Sequence, residues 1–197
     1  MNEKLKTKDI ITVVLMSLIN IFIFGFSSLL YFNPFTILLM PVYFALTQGI
    51  VYFMLGAKVK KKGALLIYSI IQGAVTFNIP YILCYLAAGI IAEVIMAKQG
   101  YGSEKGLCWS YVITQVLNAV GSTIYPYAIT LNATLERMPA DGGVNSAYIA
   151  KAGEMIQSWG SLILVAIVIA SSLLGAFFGK KVMERHLLKA RKAETED

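Results

Sequence analysis

Charge is scarce in this chain. Of its 197 residues only 14% are Asp, Glu, Lys or Arg, while 57% are hydrophobic, and the mean hydropathy is +0.69. A soluble domain carries about a quarter charged residues, because a surface facing water needs them. The deficit excludes a soluble globular domain and a charge-rich disordered chain. Cysteine is nearly absent: Cys84 and Cys108 fall near opposite ends of apolar runs, too far apart to pair, so no disulfide framework is expected. The single histidine, His186, sits in a basic C-terminal stretch, so an intramembrane Ser–His or Cys–His pair is ruled out. No HExxH segment, cysteine cluster or GxxxxGK[ST] loop occurs. The chain is therefore read as no enzyme, with no cofactor, no metal and no hydrolysis of ATP by itself. Any energised transport would draw on a partner's ATPase or on an ion gradient.

What is present is long apolar runs. A helix needs about 20 such residues to cross about 30 Å of hydrocarbon. Residues 10–32, 35–57, 107–135 and 155–179 are four uncharged runs of 23, 23, 29 and 25 residues. Residues 63–97 hold one charge, Glu93, and are too long for one simple span; Asn78-Ile79-Pro80 divides them into 63–78 and 80–97. The first run exceeds the apolar core of a signal peptide, about 7–15 residues, and no small-residue cleavage site follows it, so it is read as a span. The expectation is an all-α integral membrane protein: a six-transmembrane-helix bundle forming one membrane domain over residues 1–197, with a basic tail at 180–197.

Charge placement fits six spans. The net charge is +6, from 17 basic and 11 acidic residues. With six spans, 15 of the 17 basic residues fall on one side, in the N-terminal segment, Lys58–Lys62, Lys98–Lys105 and the tail; Arg137 and Lys151 lie opposite. Lys and Arg concentrate in cytoplasmic loops, so both termini are expected in the cytoplasm. Nucleic acid is not an expected partner, since no soluble basic face exists. The tail after Gly179 reads as a basic amphipathic helix for an anionic inner leaflet, with docking of a cytoplasmic partner as the other reading.

Polar residues inside the spans are the functional candidates. Glu93 is the only ionisable one and lies near the inner end, either as a proton-coupling or partner-contacting carboxylate or as a side chain reaching the interface near Lys98. The outer half gathers Asn78, Tyr81 and Tyr85 at one turn, Asn118, Ser122, Tyr125, Tyr127 and Asn132 on the fifth span, and Glu154, Gln157 and Trp159 at the start of the sixth. Asn118, Ser122 and Tyr125 share a helical face, beside a backbone broken by Pro126. These eleven residues suit an outward-facing pocket for a flat organic molecule; an interfacial aromatic belt is the alternative. Residues 136–153 form the longest outer segment, with a turn at Pro139–Gly143 and a short surface helix at Val144–Ala152, either a lid or a connector. Ser171, Gly175 and Gly179 repeat every four residues and permit close helix contact, with a partner subunit or within the bundle.

Six spans, this length, the Gly179-Lys180-Lys181 and Arg185-His186-Leu187-Leu188-Lys189-Ala190 tail motif, and the small-residue-plus-acid segment Ala88-Gly89-Ile90-Ile91-Ala92-Glu93 carry a resemblance. The chain resembles the Trep_Strep (MptS-like) integral membrane family and the substrate-binding S components of energy-coupling factor (ECF) transporters. The resemblance implies a subunit of the bacterial cell membrane that captures a vitamin-like micronutrient from outside. Its partners would be a transmembrane T subunit and two cytoplasmic ATPase subunits, and its pocket would be built from the outer parts of spans four to six. Many S components carry an AxxxA-type pattern on the first helix; residues 10–32 offer only Ser17, Gly25, Ser27 and Ser28, without that spacing.

Overall fold

The computed structural model describes residues 4–136, 146–157 and 159–196, with side chains described as far as Arg185. Among the described residues there are helices and no strands. Ten α-helices follow in order: α1 Thr7–Phe26, α2 Pro34–Leu38, α3 Met40–Thr47, α4 Gly49–Lys58, α5 Ala64–Ala74, α6 Ile79–Gln99, α7 Glu104–Ala119, α8 Leu131–Glu136, α9 Ser146–Ile156 and α10 Trp159–Glu196. A 3-10 turn over Ser27–Phe32 extends α1, and a π-helical segment over Val120–Ile129 follows α7. Four helical stretches are long and apolar enough to cross a membrane: Thr7–Phe32, Met40–Lys58, Ile79–Gln99 and Trp159–Arg185.

The differences from the expected spans have local causes. The run 35–57 is split because Pro34 and Pro41 each sit in the first turn of a helix, where a missing N–H costs nothing. Asn33 caps the first of these, its side-chain oxygen accepting from Phe35 N (3.0 Å) and Thr36 N (2.9 Å). The run 63–78 is helical only over α5, and Phe77 turns the chain at a left-handed φ of 50°. In the run 107–135, Pro126 cannot donate to the α ladder, and the helix widens into π turns around it. The last apolar helix starts at Trp159 rather than at residue 155, and continues to Glu196. Met155 therefore belongs to α9, which replaces the expected Val144–Ala152 helix; the Pro139–Gly143 turn and Arg137 lie outside the described residues.

The long elements pack in a closed ring. α1 contacts α4, α4 contacts α10, α10 contacts α7, α7 contacts α6, α6 contacts α5, and α5 returns to α1, with α3 continuing α4. One end of this ring gathers the basic segments. Lys61 bridges Asp9 at 2.8 Å, and Lys180 bridges Glu104 at 2.6 Å. At the other end α9 lies across α2, α8 and the π segment. It buries Ile149, Ala152 and Ile156 among Ile37, Leu38 and Ala119, and the Tyr148 hydroxyl donates to the Asn33 carbonyl.

α10 reaches α3 and α4 through Gly175 and Gly179. A Cβ on Gly175 would collide with the Ala45 carbonyl oxygen, and one on Gly179 with that of Gly49. A Cβ on Gly49 would strike Gly175 in turn. The small-residue stripe Ser171, Gly175 and Gly179 is thus occupied by a crossing inside the chain, with all three residues buried. For Gly175 and Gly179 this is the close helix contact within the bundle, one of the two readings given to the stripe from the sequence.

Candidate functional site

The ring is polar where it should be apolar. On α7 the buried stripe runs Leu107, Ser110, Tyr111, Thr114, Gln115 and Asn118, a spacing of three and four residues that defines one helical face. Trp109, on another face, is more than half exposed, as suits contact with lipid. The neighbours repeat the pattern: α1 turns inward Ser17 and Asn20, α5 Tyr68, Ser69 and Gln72, and α6 Tyr81 and Tyr85. Gln48, at the α3–α4 junction, and Tyr52 on α4 face the same interior.

Two amide relays cross this interior. Gln115 Nε2 donates to Gln48 Oε1 at 3.0 Å, and Asn118 Nδ2 donates to Gln115 Oε1 at 3.1 Å. On the far side, Asn20 Nδ2 donates to Gln72 Oε1 at 2.9 Å, and Gln72 Nε2 donates to the Ser17 carbonyl at 3.1 Å. By helix rise, the five linking amides stand about 12–21 Å from the basic end, a belt near the middle of a bilayer. Tyrosines fill the space between. The rings of Tyr52 and Tyr111 are 5.3 Å apart, those of Tyr52 and Tyr68 5.7 Å, and those of Tyr81 and Tyr85 4.9 Å. Tyr111 donates its hydroxyl to the Ala45 carbonyl at 2.8 Å.

Several buried atoms in this interior find no hydrogen-bond partner: Asn118 Oδ1, Asn20 Oδ1, and the hydroxyls of Ser17 and Ser69. Buried polar atoms are overwhelmingly paired, and an unpaired one costs about 1–3 kcal/mol. Interhelical glue would consist of satisfied pairs; here the pairs are accompanied by acceptors and donors pointing at nothing.

Of the eleven expected pocket residues, three are brought into this interior. Tyr81, Tyr85 and Asn118 are buried, and Gly121, three residues after Asn118, packs on Tyr81 and Cys84. Ser122 is half-buried against Thr123, its hydroxyl 3.3 Å from the threonine's. Tyr125 and Tyr127 are half-buried in the π segment; the Tyr125 carbonyl accepts from Thr130 N at 2.9 Å. Asn78, Asn132, Glu154 and Gln157 are exposed, and Trp159 is 76% exposed, so these five are not buried beside Asn118. The residues that sequence reading passed over are Gln48, Gln72, Gln115 and Asn20, amides inside apolar runs, and the tyrosines Tyr52, Tyr68 and Tyr111.

Glu93 has a local task. Its Oε1 accepts from the backbone of Leu65 (3.1 Å) and Leu66 (3.4 Å), and its Oε2 accepts from the Tyr101 hydroxyl at 2.9 Å. Gly63, the N-cap residue of α5, has no side chain to cap it, so a carboxylate from α6 serves the helix N-terminus. Burial, then the Glu93 carboxylate beside it, pushes the Tyr101 hydroxyl up to about 12. Among the described residues no group of His, Cys, Asp and Glu side chains could hold a metal ion.

An all-helical chain with several apolar helices long enough to span, and polar groups turned toward its own interior, defines a multi-pass membrane protein. The chain belongs to a family described as hypothetical bacterial integral membrane protein (Trep_Strep), which matches residues 7–189. No curated protein and no solved structure matches it.

Proposed function

We propose that this protein is the substrate-capture subunit of an ECF-type ABC importer. In this reading six helices cross the bacterial membrane with both termini in the cytoplasm. A small organic micronutrient is taken from outside, and a T subunit with two ATPase subunits drives its delivery. The observation that carries the reading is the amide-and-tyrosine belt with unpartnered atoms, roofed at the end opposite the basic residues by α9. A ring that needed only to hold itself together would bury leucines there. Intramembrane polar residues are retained where something polar is handled. The basic cluster at the other end supports the orientation.

A proton-coupled carrier working through Glu93 is the second reading. The engagement of both Glu93 carboxylate oxygens disfavours it: Oε1 caps α5 and Oε2 accepts from Tyr101, so a carboxylate that gives up these contacts to carry a proton also unpins a helix. The test is purification of the tagged chain from its own host under mild detergent. Retention of two ATPase subunits, and binding of a co-purified small molecule without ATP, are expected. Uptake by the isolated chain in proteoliposomes, abolished in Glu93→Gln, would replace the proposal by the carrier.

A further inference from the structure

We infer that the cytoplasmic end of α10 is the arm that holds a soluble ATPase subunit, through a line of cations that meets an acidic face on that subunit. The inference rests on the capture reading above and names the contact that joins the two. Among the described residues α10 outruns the rest of the ring. α4 stops at Lys58 and α7 begins at Glu104. Glu104 holds Lys180 at 2.6 Å, and Met183 is still buried in the core. The apolar span closes at Arg185, yet the helix continues to Glu196. No proline or glycine follows Gly179 to turn it. Residues 186–196 therefore rise about 16 Å beyond the bundle.

The cations of this stretch are in register. Lys181, Arg185, Lys189 and Lys192 follow one another at four, four and three residues, which places them on one face of an α-helix. Lys181 and Arg185 are exposed, and Lys181 stands over the Phe177 ring, 5.9 Å from its centroid. Met183 is buried at half a turn from this line, so the face of Lys181 and Arg185 is turned away from the bundle. Glu184 lies off the line and engages Lys180 at 3.8 Å; Glu194 also falls off it, and Glu196 closes its far end.

The anionic leaflet reaches only the first part of this line. Headgroups add about 5–8 Å beyond the hydrocarbon on each side. Lys189 and Lys192 stand about 6 and 10 Å past Arg185. A helix that continues its own span does not lie back on the leaflet without a break. A subunit embedded in the bilayer presents its surface at the level of the bundle, so what meets a helix past the headgroups is a soluble subunit. The complementary face is a row of carboxylates about 6 Å apart, the rise of one four-residue step. Such pairs are weak singly and screened by salt, and they act as a set.

The tagged full-length chain is purified from its own host in mild detergent, beside two triple variants checked as monodisperse. One reverses the line: Arg185→Glu, Lys189→Glu and Lys192→Glu. The other makes the same charge change at exposed positions of the same end, off α10: Lys4→Glu, Lys8→Glu and Lys98→Glu. The wild type is expected to retain the ATPase subunits and to release them in roughly 0.5 M salt. The α10 variant should retain them about fivefold less or worse, and the control variant within about twofold of wild type. If the reversal does not fold, Arg185→Gln, Lys189→Gln and Lys192→Gln reads the same loss. Equal retention by wild type and α10 variant overturns the inference, as does an equal loss in the control. Retention that depends on added phosphatidylglycerol, alike in wild type and α10 variant, assigns the line to the leaflet and overturns it too. The two levels fail separately. ATPases retained by wild type and α10 variant alike remove this contact and leave the capture role standing. A wild type that retains no ATPase removes both.

Discussion

At the scale of single residues, burial separates Asn118 from Trp159, which the linear sequence groups together. Asn118 is fully buried at the end of a relay, whereas Trp159 stands mostly exposed at the start of α10, with the apolar body and polar tip of an interfacial aromatic. Asn118→Leu should therefore abolish ligand retention, and Trp159→Ala should leave it within about twofold. Ligand-induced thermal shift in detergent measures both, and equal losses would place the site at the surface instead. Glu93 makes a second contrast. Glu93→Gln keeps one acceptor and should cost the fold ~1 kcal/mol; Glu93→Ala leaves the Leu65 N–H bare and should cost about twice that. Thermal unfolding reads both, and ligand affinity in either folded variant should not change. That Glu93 is special was visible from its solitude in the apolar runs. That it caps α5 was not, since the N–H groups it serves lie 27 and 28 residues earlier and nothing local announces the pairing.

At the scale of elements, the small-residue period on α10 was legible, but its counterpart was not. Gly175 and Gly179 stand four residues apart; Ala45 and Gly49, the surface they meet, are also four apart, but 130 residues earlier, in a stretch whose helix breaks hid the match. The crossing is backbone to backbone, so it has no side chain that can yield. Gly175→Ala must push α10 off α3, and the variant should lose monodispersity in detergent or several degrees of thermal stability. Gly25→Ala is the control: nothing lies within 4 Å of a Cβ there, and the substitution should be neutral or gain up to about 1 kcal/mol of helix propensity. The π segment teaches a related lesson. Pro126 correctly signals a break in the fifth run, but it does not say that ten residues will widen rather than kink, because neighbouring carbonyls and Thr130 re-form the ladder one residue out of step. Likewise the polar face of α7 is readable by period alone as Ser110, Tyr111, Thr114, Gln115 and Asn118. It was obscured because attention to the outer end selects Asn118, Ser122 and Tyr125, a face that the π segment dissolves.

For the whole molecule the question is whether α5 crosses the membrane, and its length alone argues against it. Eleven residues rise only about 16 Å, half a bilayer. The packing argues otherwise. α5 runs antiparallel to α6, with Leu65 level with Glu93, Gly89 against Ser69, and Gly73 against Ile82 and Tyr85. The top of α5 is thus carried almost to the far end of a 21-residue helix, and the four residues from Val75 to Asn78 complete the traverse. On the opposite flank α5 begins about 9 Å inside the end of α6, covered by the basic turn that Asp9 and Lys61 tie down. A short helix in a ring of longer ones needs no lipid-matched length of its own when its neighbours shield both its ends. On the six-span topology proposed above, Lys62 and Lys98 face the cytoplasm, and Asn78 and Asn132 the outside. With Cys84 and Cys108 replaced by Ala, single cysteines at these four positions report the topology in whole cells through a membrane-impermeant maleimide. Asn78→Cys and Asn132→Cys should label directly, and Lys62→Cys and Lys98→Cys only after permeabilisation. Labelling of Asn78→Cys only after permeabilisation would mean that α5 re-enters on its own side, and the basic segments would then no longer share one face.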